Sequence, residues 1–245
     1  MRIAIMQPTY LPWLGYFELI ENCDIFVYLD DVQYVKKTFH SRNKIKAKAG
    51  ELLLTVPVLS KGNFFQLLSH TRINNDINWK RKHFKSIEIN YCKAAYYNNY
   101  INELRKIYMN NYNSLVELNV KLIEWMIKKI GIKTETMFSS QINAGGKKDK
   151  RIVNICKKLN ANILYDTFGA KKVLDESYFN ENNIELIFQN YKHPTYKQQW
   201  GEFISHLSVL DLAMNEGPNA LEIINSGIKI YTRDFLVDSK KKEMD

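Results

Sequence analysis

The first 43 residues leave this chain few ways to fold. Ile3-Ala4-Ile5-Met6 is an apolar strand, Gln7 to Pro12 a tight loop, Trp13 to Glu21 a helix, and Ile25 to Leu29 a second strand, followed by Asp30-Asp31-Val32-Gln33. A polar segment then ends in His40-Ser41-Arg42-Asn43. Two short apolar runs joined by an amphipathic helix form a strand–helix–strand unit. Ligands sit beyond the strand ends of such units, where loops are free of sheet pairing and the helix begins with unsatisfied N–H groups. The strand ends here carry Gln7 on one side and Asp30, Asp31 and Gln33 on the other, so amides and a carboxylate pair share one rim.

The rest of the chain can support a full α/β core around that unit. At 245 residues, 45% hydrophobic and 25% charged, it has globular composition. The expected organisation is one α/β domain over 1–245, with a helical insert at about 72–131 and a short disordered basic tail at about 238–245. The net charge of +9 is spread along helices in pairs such as Lys128-Lys129 and Lys157-Lys158, and only Lys240 to Lys242 is concentrated. That spread argues against nucleic acid and for a polyanionic or nucleotide-bearing small molecule. Cys23, Cys92 and Cys156 have no CxxC spacing, which fits a reducing compartment and no structural zinc. No leader precedes the first strand and no apolar run can span a bilayer, so a cytoplasmic protein without a membrane span is expected.

Along the chain, Glu51 to Val58 is a β-rich run closed by Pro57, in the manner of an edge strand. Helical patterns follow. Trp79 and His83 share one face, and Tyr96, Tyr100, Leu104 and Tyr108 form a semi-polar stripe. Ser114 to Ile130 is the clearest helix, with a Ser114/Glu117 capping box and Gly131 as its stop. Thr134 to Phe138, Asn162 to Tyr165 and Glu185 to Asn190 read as strands, and a helix opening at the Gly145-Gly146-Lys147 turn runs to Leu159. The turn lacks P-loop spacing and reads first as a plain turn. The segment Tyr191 to Trp200 packs an imidazole, phenols and amides into one loop, which is rarely mere solvent-facing chain. Asn219 to Ile224 is a short helix stopped by Gly227, and a short strand and a frayed tail follow. In a mainly parallel, Rossmann-like sheet with flanking helices, Gln7, Asp30-Asp31, Asp166 and His193 would all fall on one edge and line one crevice.

Two stretches carry a family signature. Met6-Gln7-Pro8-Thr9-Tyr10-Leu11-Pro12-Trp13-Leu14-Gly15-Tyr16-Phe17, with Asp30-Asp31-Val32-Gln33 and Ser41-Arg42-Asn43, resembles the start of the WbqC-like family. His193-Pro194-Thr195-Tyr196 with Gln198, then Leu207 to Asp211 and Asn215-Glu216-Gly217, resembles its C-terminal signature. The resemblance implies a bacterial surface-polysaccharide (O-antigen-type) context. It also implies an enzyme that attaches an acyl or aminoacyl group, of glycyl type, to the amine of a nucleotide-linked amino sugar. A looser resemblance links the strand, Pro8, Pro12, Gly15-Tyr16, Asp24 and second strand to the nucleotidyltransferase superfamily. Trp13 and Tyr16 stand where its two phosphate-holding histidines would be, and neither is a cationic donor, so that likeness bears on fold rather than reaction.

Acyl transfer to an amine needs a base and donors for an oxyanion. His193 and His83 are the candidate bases, with Asp30 and Asp31 as acid–base partners. His40, His70 and His206 have no supporting context in the sequence. Neighbours on an extended chain point oppositely, so one aspartate is expected to face the crevice while the other caps or salt-bridges. Arg42 suits a phosphate or carboxylate. Gln7, Tyr10, Gln33, Asn43, Asp166, Gly169, Tyr196, Gln198, Asp211 and Asn215 are the remaining candidates for substrate binding. No metal ligand set is assigned, although a carboxylate pair is chemically able to hold Mg²⁺. The donor is left open between a thioester on coenzyme A or an acyl-carrier-type protein and ATP. Two further classes stay open: ATP-dependent carboxylate activation and ligation, and a non-catalytic carbohydrate- or partner-binding module.

Overall fold

The computed structural model describes residues 1–63 and 65–228. The expected short strand beyond Ile228 and the basic tail lie outside the described residues. Strand β1 (Arg2–Met6) is followed by helix α1 (Leu14–Glu21) and strand β2 (Ile25–Tyr28), as the opening stretch requires. β1 and β2 pair in parallel from Ile3 against Ile25 to Met6 against Tyr28. Strands β5 (Glu135–Phe138), β6 (Ile163–Asp166) and β7 (Glu185–Phe188) complete a five-stranded parallel sheet in the order β5-β2-β1-β6-β7. The chain therefore builds outward from β1 to one side and then returns to build the other. The reversal lies between β1 and β6, which makes their carboxyl ends the crevice of the sheet.

Alternation along the strands fills two cores. Ile3 and Ile5 of β1 join Val27 and Leu164 beneath helix α6 (Lys148–Lys158) and helix α7 (Glu176–Glu181). Ala4, Phe26, Tyr28 and Tyr165 face the opposite way into a larger core. That core also holds α1 and three helices that enter between the second and fifth strands: α2 (Trp79–Tyr91), α3 (Tyr97–Met109) and α4 (Leu115–Ile130). Ser114 caps α4 by accepting the Glu117 N–H at 3.3 Å, and Gly131 ends it at φ +89°, where a side chain would be strained. Cys156 is fully buried.

Residues Leu14 to Ile20 of α1 are all buried, because the sheet lies on one side and helix α9 (Ala220–Ser226) touches the other. A helix buried all round must satisfy any polar group it carries. Glu18, 0% exposed, receives the Tyr165 hydroxyl at 2.6 Å, Asn22 Nδ2 at 3.1 Å and Gln189 Nε2. Burial pushes its carboxyl up, against those donors.

Two elements depart from the expectations. The run after Gly50 is not part of the main sheet: β4 (Gly50–Thr55) pairs antiparallel with β3 (Arg42–Ala47) in a separate hairpin. The segment after Leu207, read only as polar motifs, forms helix α8 (Val209–Glu216), with the Ser208 hydroxyl accepting the Leu210 N–H at 3.2 Å. Helix α5 (Ser139–Ile142) is a single turn directly after β5.

Candidate functional site

Gln7 leaves β1 at the crevice, and its amide is oriented by a residue 33 positions away. His40 Nε2 lies 2.6 Å from Gln7 Oε1, while its Nδ1 receives the Val35 backbone N–H at 3.2 Å. An N–H donor facing Nδ1 makes that atom the lone-pair nitrogen, so Nε2 carries the hydrogen and donates to the Gln7 oxygen. The Gln7 NH₂ group is thereby turned away from His40. Burial holds the His40 pKa down to about 4, so this arrangement persists at neutral pH. Asn119 of α4, 0% exposed, donates to the His40 carbonyl at 2.8 Å and to the Pro8 carbonyl at 3.1 Å, which pins both partners to the insert helices.

Across the crevice, Asp166 ends β6. Its Oδ1 accepts the Thr167 N–H at 2.6 Å, yet burial dominates and lifts its carboxyl to about 6. A carboxyl in that range exchanges protons near neutrality and is a recurrent mark of functional sites. Gln189, just beyond β7 and 4% exposed, links Asp166 to the head of α1. Its backbone N–H reaches the Asp166 carbonyl at 2.7 Å and its side chain donates to Gly15 O at 2.7 Å.

An aromatic cluster sits at that helix head. The Trp13 ring folds over Gly15, where any Cβ would meet it at 2.4 Å. His206 stacks on Trp13 at 5.2 Å, His193 lies nearly parallel to it at 6.3 Å, and Tyr191 meets it edge-on at 5.6 Å. His193 Nδ1 lies 2.8 Å from the Pro194 carbonyl, which fixes the hydrogen on Nδ1 and leaves Nε2 as a bare lone pair. Nε2 and the Tyr191 hydroxyl are both buried with no hydrogen-bond partner among the described residues. Burial lowers the His193 pKa, with the Pro194 carbonyl opposing and His206 assisting, so its neutral form is favoured. Orphaned polar atoms are uncommon in folded proteins, and two beside one tryptophan make this cluster a candidate ligand contact.

On the other side of β1, Asp30 and Asp31 divide their tasks, one capping and the other pairing. Asp30, 5% exposed, accepts the Ser140 N–H at 3.0 Å and the Ser140 hydroxyl at 2.8 Å, capping α5 from a neighbouring strand. Asp31 pairs with the Arg151 guanidinium of α6 and receives the Ser139 hydroxyl at 2.6 Å. That hydroxyl also lies 3.0 Å from Asp30 Oδ1, but its single hydrogen serves one acceptor at a time. Arg151 further holds the Ala144 carbonyl at 2.8 Å, closing the Gly145-Gly146 turn onto the sheet edge. Among the described residues no group of His, Cys, Asp and Glu is placed to hold a metal ion.

Several sequence candidates have internal partners instead. His83 accepts from the Tyr10 hydroxyl at 2.9 Å, Tyr10 is joined in turn by the Tyr108 hydroxyl, and a hydrogen bond to the Thr55 backbone uses the other ring nitrogen. With both nitrogens engaged and burial holding its pKa near 4, His83 is a core histidine, and Tyr10 at 0% exposure belongs to the same core. Asn43 Nδ2 reaches the Leu11 carbonyl at 2.6 Å and steadies a residue at φ +46°. Arg42 holds the Lys37 carbonyl. Tyr196 and Tyr91 donate to Asp211 at 2.9 and 2.8 Å, Gln198 accepts Lys46 Nζ at 2.8 Å, and Asn215 Nδ2 donates to the Asp211 carbonyl at 2.7 Å. These four candidates of the C-terminal signature therefore tie the 191–204 loop to α8 and the β3–β4 hairpin. Gln33 bridges to Leu67, and Gly169 lies in an exposed turn after β6.

The sequence reading missed Trp13, Tyr191, His40, His206, Gln189, Asn119, Ser139, Ser140 and Arg151. Usable signals existed for Trp13, within the N-terminal signature, for Arg151, in the turn that opens α6, and for Tyr191, within the dense loop. A sequence profile of the WbqC-like protein family matches residues 7–223, which spans both edges of the crevice and the aromatic cluster. The Mycobacterium tuberculosis protein Rv1507c, described as uncharacterized, is 34% identical over 221 residues, covering 89% of this chain and 95% of its own. No solved structure matches the chain. With the profile running from Gln7 at the end of β1 to Ile223 in α9, the chain belongs to the WbqC-like protein family.

Proposed function

We propose that this protein is a transferase of bacterial surface-glycan assembly that acylates the amine of a nucleotide-linked amino sugar. The observation that supports this reading is the bare Nε2 lone pair of His193, buried at the head of α1 beside Trp13 and the orphaned Tyr191 hydroxyl. A neutral imidazole is the base this chemistry needs, because an ammonium cannot attack until it loses a proton. In the proposed step the ammonium first gives one proton through His193 Nε2 to solvent, and the neutral sugar nitrogen then attacks the carbonyl of an acyl or aminoacyl thioester. The N–C bond forms, the regenerated Nε2 takes a second proton from nitrogen, and the C–S bond breaks. The departing thiolate then receives that proton. Asp166, with its carboxyl lifted to about 6, is ionised at pH 7 and holds the ammonium before reaction. The Gln7 NH₂, aimed by His40, serves as a donor to the developing oxyanion. Trp13 supplies an apolar face for the sugar or base ring. The tyrosine stripe gives less support to a binding-module reading, since Tyr100 and Tyr108 are 4% and 0% exposed.

The test is a thermal-shift screen of uridine- and thymidine-diphosphate amino sugars, followed by mass spectrometry with acyl thioesters. Ligand at a hundredfold excess over Kd stabilises a native state by about 2.7 kcal/mol. In the active pair, His193→Gln is expected to lower kcat about 100-fold or more with little change in KM. Asp166→Asn should raise the sugar KM at least about tenfold. Unchanged turnover in both variants would remove these assignments, and acid-dependent release of pyrophosphate from ATP would assign a carboxylate-activating ligase instead.

A further inference from the structure

We propose that the face at the carboxyl edge of the sheet docks on an anionic lipid bilayer through three loops tipped with lysine and apolar side chains. The loops are 32–40 after β2, 167–174 after β6, and a third made of the described residues 58–63 and 65–67. β2 and β6 flank β1, so the first two loops leave the sheet about 10 Å apart, on either side of Gln7. The third is laced to the first by the Tyr34 N–H on the Gln66 carbonyl at 2.9 Å and by the Gln33–Leu67 bridge.

These tips expose side chains that folded proteins usually cover. Phe65 is 85% exposed, Val173 77%, Phe39 60%, Phe168 59% and Val35 50%. Lys37, Lys61, Lys171 and Lys172 are exposed among them. None of the chain's 26 acidic residues falls within the three loops, whose nearest carboxylates are the paired Asp30 and Asp31, the half-buried Asp166, and Asp175-Glu176 at the start of α7. One tip is also built rather than slack: Thr38 Oγ1 donates to the Val35 carbonyl at 2.8 Å, and Arg42 holds the Lys37 carbonyl with Lys37 at φ +60°.

Apolar tips that can enter the acyl boundary, ringed by lysines and free of carboxylates, meet the requirements of an interfacial membrane contact. Nucleic acid fits less well. Two of these five exposed apolar side chains are valines, and no arginine lies in the loops. Another basic surface among the described residues makes the contrast. A groove of about 1240 Å³ on α2 and α3 is lined by Lys80, Arg81, Lys82, Lys85 and Arg105, but it also holds Glu88 and recesses Phe84 to 5% exposure. Glu88 pairs there with Arg105 at 2.7 Å. Docked by its loops, the protein would turn the β1–β6 crevice towards the bilayer. The surface is defined by exposure and charge alone, independently of the acyl-transfer reading.

The experiment is cosedimentation of the full chain with vesicles of phosphatidylglycerol mixed with phosphatidylcholine, against phosphatidylcholine alone, at low and high salt. Binding to the anionic vesicles that weakens with salt is expected. The pair Lys171→Ala and Lys172→Ala should lower partitioning about 25-fold, at about fivefold per lysine. Phe39→Ser with Phe168→Ser should also lower it, with an unchanged melting temperature showing that the fold is intact. Lys82→Ala with Lys85→Ala, in the α2–α3 groove, should change it less than about twofold. The proposal is overturned by absence of binding at low salt, by equal loss in the groove variant, or by displacement of the vesicles with a single-stranded oligonucleotide.

Discussion

Asp166 and His83 titrate in opposite senses, and each makes a separate stability prediction. Burial lifts Asp166 from 3.8 to about 6, so the folded state binds the extra proton between those values. Stability is therefore lost as pH rises through that window, and the full penalty is present at pH 7. Asp166→Asn is expected to stabilise the protein at pH 7 by as much as about 3 kcal/mol and to have no such effect near pH 4, as measured by urea unfolding. His83 falls from 6.5 to about 4, so the unfolded state binds the extra proton. Its contribution is complete above pH 6.5 and is lost as pH falls towards 4. His83→Gln should flatten that acid limb by as much as about 3 kcal/mol, and an unchanged limb would show that the imidazole is not buried neutral. The sequence paired His83 with Trp79 correctly, at 5.3 Å between rings, but could not show that both of its nitrogens are used.

At the scale of elements, α4 and the head of α1 position the site. The capping box and the Gly131 stop make α4 legible as structure, but Asn119 on its buried face is what fixes the Pro8 and His40 carbonyls. Asn119→Leu leaves two buried carbonyls unpaired and is expected to cost about 2–4 kcal/mol in equilibrium unfolding. A cost under about 1 kcal/mol would mean that these carbonyls find other partners. At α1, Gly15 lies under the Trp13 ring. Gly15→Ala forces the ring off the helix head, which should shift tryptophan fluorescence and lower stability by about 1–3 kcal/mol. The glycine was read as part of a signature, whereas its physical reason is this close approach.

At the scale of the molecule, one buried charge network holds the late segments to the early ones. Lys46 of β3, 1% exposed, reaches Gln198 and the Glu202 carbonyl, while Asp211 of α8 collects Tyr91 and Tyr196. Burial raises the Asp211 carboxyl against those donors and Lys46. Lys46→Met takes the cation from a buried carboxylate and is expected to cost about 3–5 kcal/mol at pH 7. Urea midpoints would report it, and a loss confined to a few tenths would show that the hydroxyls alone satisfy Asp211.

Local pattern specifies the parallel α/β class, the strand–helix–strand opening and the edge on which Gln7, Asp30, Asp31 and Asp166 gather. It can do so because side-chain periodicity and helix stops act over a few residues and are written locally. Only the tertiary structure decided which polar residues are open to a ligand. Gln7 and His40, Asp31 and Arg151, and Trp13 and His193 meet across 33, 120 and 180 positions. A polar side chain reads the same in the sequence whether a distant partner satisfies it, as at Asp211, or leaves it bare, as at His193 Nε2. That difference arises from long-range packing, which no local pattern encodes.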